Sequence, residues 1–190
     1  ADEVDVFEGA YDARLPVQAL DYCLGQAGNA APPDAVVFYE SPSLKTDRLF
    51  RTFLRFAPSG YGDFRRGFSA WLGQRIHQTD GILESLRQRY AEIDWADRLY
   101  LCPHHLRHAA SAFLPSPFAR AAILVLDGLG EWSTTTLWHG RGSRIEPLAE
   151  IRFPHSLGLL YSAFTFYAGF KVTSGEYKLM GLAPYGEPKY

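Results

Sequence analysis

The stretch Ile123-Leu124-Val125-Leu126-Asp127-Gly128-Leu129-Gly130-Glu131-Trp132-Ser133-Thr134-Thr135-Thr136-Leu137-Trp138 decides how the chain is read. Ala121 to Leu126 is short, apolar and β-branched, which predicts a strand. Trp132 to Trp138, rich in threonine and aromatic residues, predicts a second strand antiparallel to it. The Asp127-Gly128-Leu129-Gly130 turn between them closes a hairpin. Its carboxylate stands at a strand end, and its glycines allow close backbone approach, as a loop whose amides meet a phosphate requires. A tight hairpin with surface threonines is the plainer reading of the same residues.

Working toward the amino terminus, Arg98 to Cys102 is another strand candidate. It runs into Pro103-His104-His105-Leu106-Arg107-His108, and residues His104 to Phe113 have a helical pattern. The chain has six histidines, and three fall in that run. Side chains four apart share a helix face, so His104 and His108 can offer imidazole nitrogens to one ion while His105 points about 100° away. With Asp127 they make a candidate divalent metal site at the carboxyl end of strands, where open α/β sheets usually bind ligands. Adjacent histidines at a helix start can also be simple capping residues. Zinc-protease chemistry is disfavoured, because His105 stands where that motif needs a glutamate base. A Lewis acid in group transfer fits better.

Farther upstream, Leu15 to Leu24 predicts a short helix, with Gly25 and Gly28 near its end, and after the turn at 29–33 Ala35 to Tyr39 predicts a buried strand. Residues 44–93 predict two or three helices forming an insertion, broken near Pro58 to Gly62. Its arginines, Arg48, Arg51, Arg55, Arg65, Arg66 and Arg75, read as a solvated face or as a patch for an anionic ligand or partner domain. Downstream, Arg144 to Phe153 predicts a strand and Ser156 to Gly169 an apolar helix. Thr173 to Gly186 gathers glycines with Glu176 and Lys178, and Lys178 could neutralise a phosphate. The plainer reading of that segment is a helix start followed by an irregular loop, and His139 and His155 read as isolated structural residues.

Composition narrows the function classes. With 190 residues, of which 47% are hydrophobic, the chain can bury a core. A formal net charge of -2 and a pI near 6.3 supply no broad basic field, so nucleic acid and anionic membrane surfaces are not expected partners. No apolar run approaches the roughly 20 residues that span a bilayer, and the acidic opening is unlike a signal peptide. The two cysteines, Cys23 and Cys102, lie in apolar segments without CxxC spacing, which predicts buried thiols in a reducing cytoplasm. The opening residues lack periodicity and the last are turn-formers, so both ends are expected to be cut.

Three ordered motifs carry a resemblance: His104-His105-Leu106-Arg107-His108-Ala109-Ala110-Ser111-Ala112-Phe113, then Leu126 to Trp132, then Tyr177-Lys178-Leu179-Met180-Gly181-Leu182-Ala183-Pro184-Tyr185-Gly186. Together with Asp12 to Pro16, they resemble the amino-terminal domain of the O-carbamoyltransferases of nodulation-factor and antibiotic biosynthesis. That domain is similar to the tRNA-threonylcarbamoyl synthase subunit. The resemblance implies an α/β fold of the actin-like ATPase type, a duplicated ribonuclease-H-like unit, here incomplete and with a helical insertion.

The resemblance further implies that His104, His108 and Asp127 hold a divalent ion, iron in the family's pattern, beside a nucleotide. Gly128, Gly130, Glu176 and Lys178 would contact that nucleotide. The family makes carbamoyl adenylate from carbamoyl phosphate and ATP in a second domain and passes the carbamoyl group to a hydroxyl-bearing small-molecule or glycan acceptor. Ala1 to Tyr11 has no phosphate-binding loop, and a further aspartate ligand and the adenylate-forming domain would lie beyond Tyr190. The chain is therefore expected to bind one divalent ion weakly and not to turn over alone. Another actin-fold phosphotransferase, a tRNA-threonylcarbamoyl-type enzyme and a non-catalytic binding fragment are the alternatives.

Overall fold

A computed structural model describes residues 16–26, 33–73 and 79–189. The opening residues, including the stretch through Arg14, lie outside the described residues, as do Gly28, most of the 29–33 turn and Arg75. The chain divides into two units, residues 1–102 and 103–190.

In the first unit, α1 (Val17–Gln26) precedes β1 (Val36–Phe38), and β2 (Leu99–Leu101) pairs with β1 in parallel, Val37 opposite Tyr100. Parallel strands need a long crossover. Here it carries α2 (Pro42–Phe56), α3 (Tyr61–Gly73) and α4 (Thr79–Arg89). Pro42 sits in the first turn of α2, where its missing N–H costs nothing. Phenylalanines join α2 to α3: the Phe53 and Phe64 rings stack at 4.4 Å, and Phe50 meets Phe68 edge-on at 5.2 Å. Arg51 pairs with Asp47 one helical turn away at 2.7 Å, as a solvated face would.

The core of this unit is Phe38, Ile82, Leu86, Tyr90 and Trp95. Its polar edges are satisfied, since the Trp95 indole donates to the Tyr90 carbonyl and the Tyr90 hydroxyl to Asp21. Two expectations fail here. Cys23 is exposed, because α1 buries none of its residues fully, and Cys102, just past the end of β2, is only half-buried. The strand expected to be buried throughout buries only Phe38, and Val37, on the other side of the pleat, is 63% exposed.

The second unit begins with α5 (His104–Phe113), followed by β3 (Arg120–Leu126), β4 (Ser133–Arg141) and β5 (Arg144–Arg152) in an antiparallel sheet of order β3-β4-β5. Helix α5 lies on this sheet. Ala109 and Phe113 pack with Ile123 and Val125, and the Phe113 ring sits so close to Gly140 that a Cβ there would come within 2.7 Å of it. Alternate residues of β3 face this core, while Leu124 and Leu126 point to the exposed side. Pro147 is tolerated because β5 is an edge strand and the residue lies at a register shift opposite Trp138. The chain continues through α6 (Leu157–Tyr167) and α7 (Glu176–Leu182) to a 3₁₀ turn at Ala183–Tyr185. Ser156 caps α6 by accepting from the Leu159 N–H. Among the described residues, no helix is long and apolar enough to cross a membrane.

Candidate functional site

Helix α5 is placed so that its first turn stands over the β3–β4 connection. Its N-terminus is capped by an acid from that connection: Glu131, buried, accepts from the His104 backbone N–H at 3.2 Å. A carboxylate there also complements the helix dipole. At the same end of the sheet, Asp127 follows the last residue of β3, and its backbone N–H donates to the Thr134 carbonyl. The Gly128 N–H donates to Asp127 Oδ1 at 2.7 Å, which leaves Oδ2 for the helix.

Three groups converge there. His104 Nε2 lies 2.7 Å from Asp127 Oδ2, His108 Nε2 lies 3.9 Å from the same oxygen, and the two ring nitrogens are 3.1 Å apart. A first-row ion about 2.1 Å from each of three donors would separate them by about 3.0–3.5 Å, so the three distances bracket what one ion needs. The Arg107 guanidinium, which only donates, lies 3.2 Å from His108 Nε2 and 3.3 Å from His104 Nε2, while Asp127 accepts from the His104 ring. A cation shared by the two imidazoles and the carboxylate satisfies all three ligands together. Among the described residues, this is the one cluster of three such side chains.

The electrostatics suit ion binding. The hydrogen bond from the His104 ring holds the Asp127 carboxyl down at about 2, with help from the Gly128 N–H, so the ligand is ionised throughout the neutral range. Burial, followed by the neighbouring Arg107 charge, pushes His108 below its ordinary value and favours the neutral form that a metal requires.

The other expected site residues fall into two groups. Gly128 and Gly130 are in the site's wall. A Cβ on Gly130 would come 2.8 Å from the His105 ring and 3.1 Å from the His104 ring. Glu176 and Lys178 are on α7, which packs on α6. Both Glu176 oxygens are engaged locally: Oε1 accepts from the Thr173 N–H and the Ser162 hydroxyl at 2.9 Å each, and Oε2 from the Gly175 N–H at 3.2 Å. The Lys178 ammonium lies 5.9 Å from the Tyr177 ring centre.

Sequence reading passed over Glu131, Ser156 and Gly158 as parts of the site. The Ser156 hydroxyl lies within hydrogen-bonding distance of the Gly128 carbonyl (2.7 Å) and the Asp127 carbonyl (3.2 Å). Gly158 lets the start of α6 press directly on the Asp127–Gly128 backbone. Glu131 lay within the Leu126 to Trp132 motif, and the sequence signal for the other two was a serine two residues before a glycine at a helix start.

Residues 6–190 match the family described as Carbamoyltransferase N-terminus. An uncharacterized protein of Synechocystis sp. is 53% identical over 186 residues, 95% of this chain and 30% of that protein. Nodulation protein NolNO of Sinorhizobium fredii is 33% identical over 176 residues, 92% of this chain and 24% of its own length. Nodulation protein NolO of Bradyrhizobium diazoefficiens is 40% identical over 85 residues, covering 45% of this chain and 15% of its own length. The chain thus spans a third or less of the relatives it matches.

Proposed function

Because this chain belongs to the family of carbamoyltransferase amino-terminal domains, we propose that it is part of an O-carbamoyltransferase. In this reading a carbamoyl group passes from carbamoyl adenylate, formed from carbamoyl phosphate and ATP, to a hydroxyl of a small-molecule or glycan acceptor. The observation that carries it is the meeting of His104 Nε2, His108 Nε2 and Asp127 Oδ2 at the end of β3. A divalent ion there, iron in our reading, would supply Lewis acidity to polarise the carbamoyl carbonyl or to lower the pKa of the acceptor hydroxyl.

The chain's own residues do the positioning. His104 and His108 present their ring nitrogens from one helix face, and the Gly128 N–H turns Asp127 so that Oδ2 faces them. The Ser156 hydroxyl at the Asp127 and Gly128 carbonyls ties the loop to α6. Gly128, with open space where a Cβ would stand, suits close approach of a nucleotide phosphate, and Gly130, which lets the loop pack on the histidine rings, is assigned to the same contact. Lys178 is assigned to that phosphate and Glu176 to the loop that presents it. The architecture we assign is the actin-like ATPase fold, supported by the antiparallel β3-β4-β5 sheet with its covering helix and by the parallel β1–β2 pair.

Equilibrium binding of AMP and ATP to the chain, with and without Fe²⁺ or Mn²⁺, tests the reading. Tenfold or greater strengthening of nucleotide binding by the ion is expected. Nucleotide binding that ignores the ion, or is absent, would overturn the assignment of a joint ion and nucleotide cleft.

A further inference from the structure

Between the two histidines of the candidate ion site, His105 points the other way and is 97% removed from solvent, its exposure being 3%. Its Nδ1 lies 2.8 Å from the hydroxyl of Thr136, itself buried on β4. The same hydroxyl accepts from the Trp138 indole N–H at 2.6 Å. An indole nitrogen only donates, so it occupies one Thr136 lone pair, and the hydroxyl's proton or its second lone pair joins it to His105 Nδ1. The chain Trp138, Thr136, His105 ties the ring to β4.

We infer that Thr136 is a positioning residue for the ion site, acting through His105. Successive residues of a helix project about 100° apart. Locking His105 to β4 therefore sets the rotation of α5 about its axis, and with it the direction in which His104 and His108 face. The reference frame is shared with the third ligand. Thr136 stands opposite Val125 on β3, and Thr135 opposite Leu126, the residue before Asp127. A second contact tightens the arrangement: Gly130 lies flush against the His105 ring, so the held imidazole is also the wall on which the Asp127–Gly130 loop rests. Loss of the hydroxyl would remove the partner of the buried Nδ1 and of the indole N–H and loosen the ring's tie to β4.

This inference rests on the ion-site reading, and the test separates the two. Titration of the whole chain with Co²⁺, read by its visible d–d absorption, reports both affinity and ligand geometry. Wild-type chain, Thr136→Val, Thr136→Ser and Trp138→Phe are compared, with thermal unfolding measured alongside. Partners that orient metal-ligating histidines are typically worth 10–100-fold in affinity. Thr136→Val is expected to weaken Co²⁺ binding about tenfold and to change the band shape. Thr136→Ser, which keeps the hydroxyl, is expected to restore the wild-type spectrum, with Trp138→Phe in between. Should Thr136→Val fold poorly, the comparison of Trp138→Phe with wild type decides. Variants that bind with wild-type affinity and spectrum would overturn the positioning role and leave the ion site standing. A wild-type chain that binds no Co²⁺ would overturn the ion site itself.

Discussion

Gly158 meets Gly128 so closely that a Cβ on Gly158 would come 2.6 Å from the Gly128 α-carbon and 2.7 Å from the Asp127 carbonyl oxygen. Both neighbours are backbone, so no flexible side chain can yield, and the strand end carrying Asp127 must move. Gly158→Ala is therefore predicted to cost about 1–3 kcal/mol through overpacking and to weaken Co²⁺ binding as well. Gly67, on the exposed side of α3 with nothing within 4 Å, is the contrast. Gly67→Ala is predicted to stabilise by about 0.5–1 kcal/mol through helix propensity alone. Urea denaturation of the two variants checks both signs.

Acid stability follows from the site's titrations. Burial pushes His105 and His108 below their ordinary 6.5. The unfolded chain then takes up protons more readily than the folded one as the pH drops below that value, so stability falls. Asp127 moves the same way at lower pH. Its carboxyl is held at about 2 against an ordinary 3.8, and the stabilisation, about 2 kcal/mol at most, is present above pH 4 and lost as the pH falls toward 2. Urea unfolding of the ion-free chain should show stability level above pH 7, declining from about 6.5 downward and declining again below 4. Constant stability from pH 8 to 5 would contradict the histidine assignment.

Thr173 holds a positive φ of 71°, a region that β-branched residues rarely adopt. The Glu176 carboxylate bonds the Thr173 N–H and secures it. Such a residue stores about 1–3 kcal/mol, more than the roughly 0.5–1 kcal/mol that glycine loses in chain entropy. Thr173→Gly should therefore raise stability, by about 1 kcal/mol. Glu176→Ala should lower it, and the loss should be smaller in the Thr173→Gly background. Thermal melts of the two single variants and the double variant measure that coupling.

Much of the fold was legible because local signals were unambiguous. The β3–β4 hairpin announced itself by an apolar run, a glycine turn and a threonine run, and α5 by histidines at helical spacing. What escaped depended on tertiary placement. Cys23 sits in an apolar segment, yet α1 buries no residue fully, and Val37 faces away from the core that takes Phe38. The candidate ligands His104, His108 and Asp127 could be named because few residue types bind metals and their spacing was informative. Thr136, Ser156 and Gly158 could not, since a strand threonine, a helix cap and a glycine have ordinary local explanations. Their part in the site exists only once β4 and α6 are brought against α5 and the Asp127 loop.

The most direct test of the ion site is a Co²⁺ or Fe²⁺ titration of the chain beside the His104→Ala, His108→Ala double variant, with circular dichroism confirming that both are folded. One ion per chain is predicted for the wild type, and at least a tenfold loss of affinity when the two imidazoles are removed. Equal stoichiometry and equal affinity in the two proteins would contradict the account.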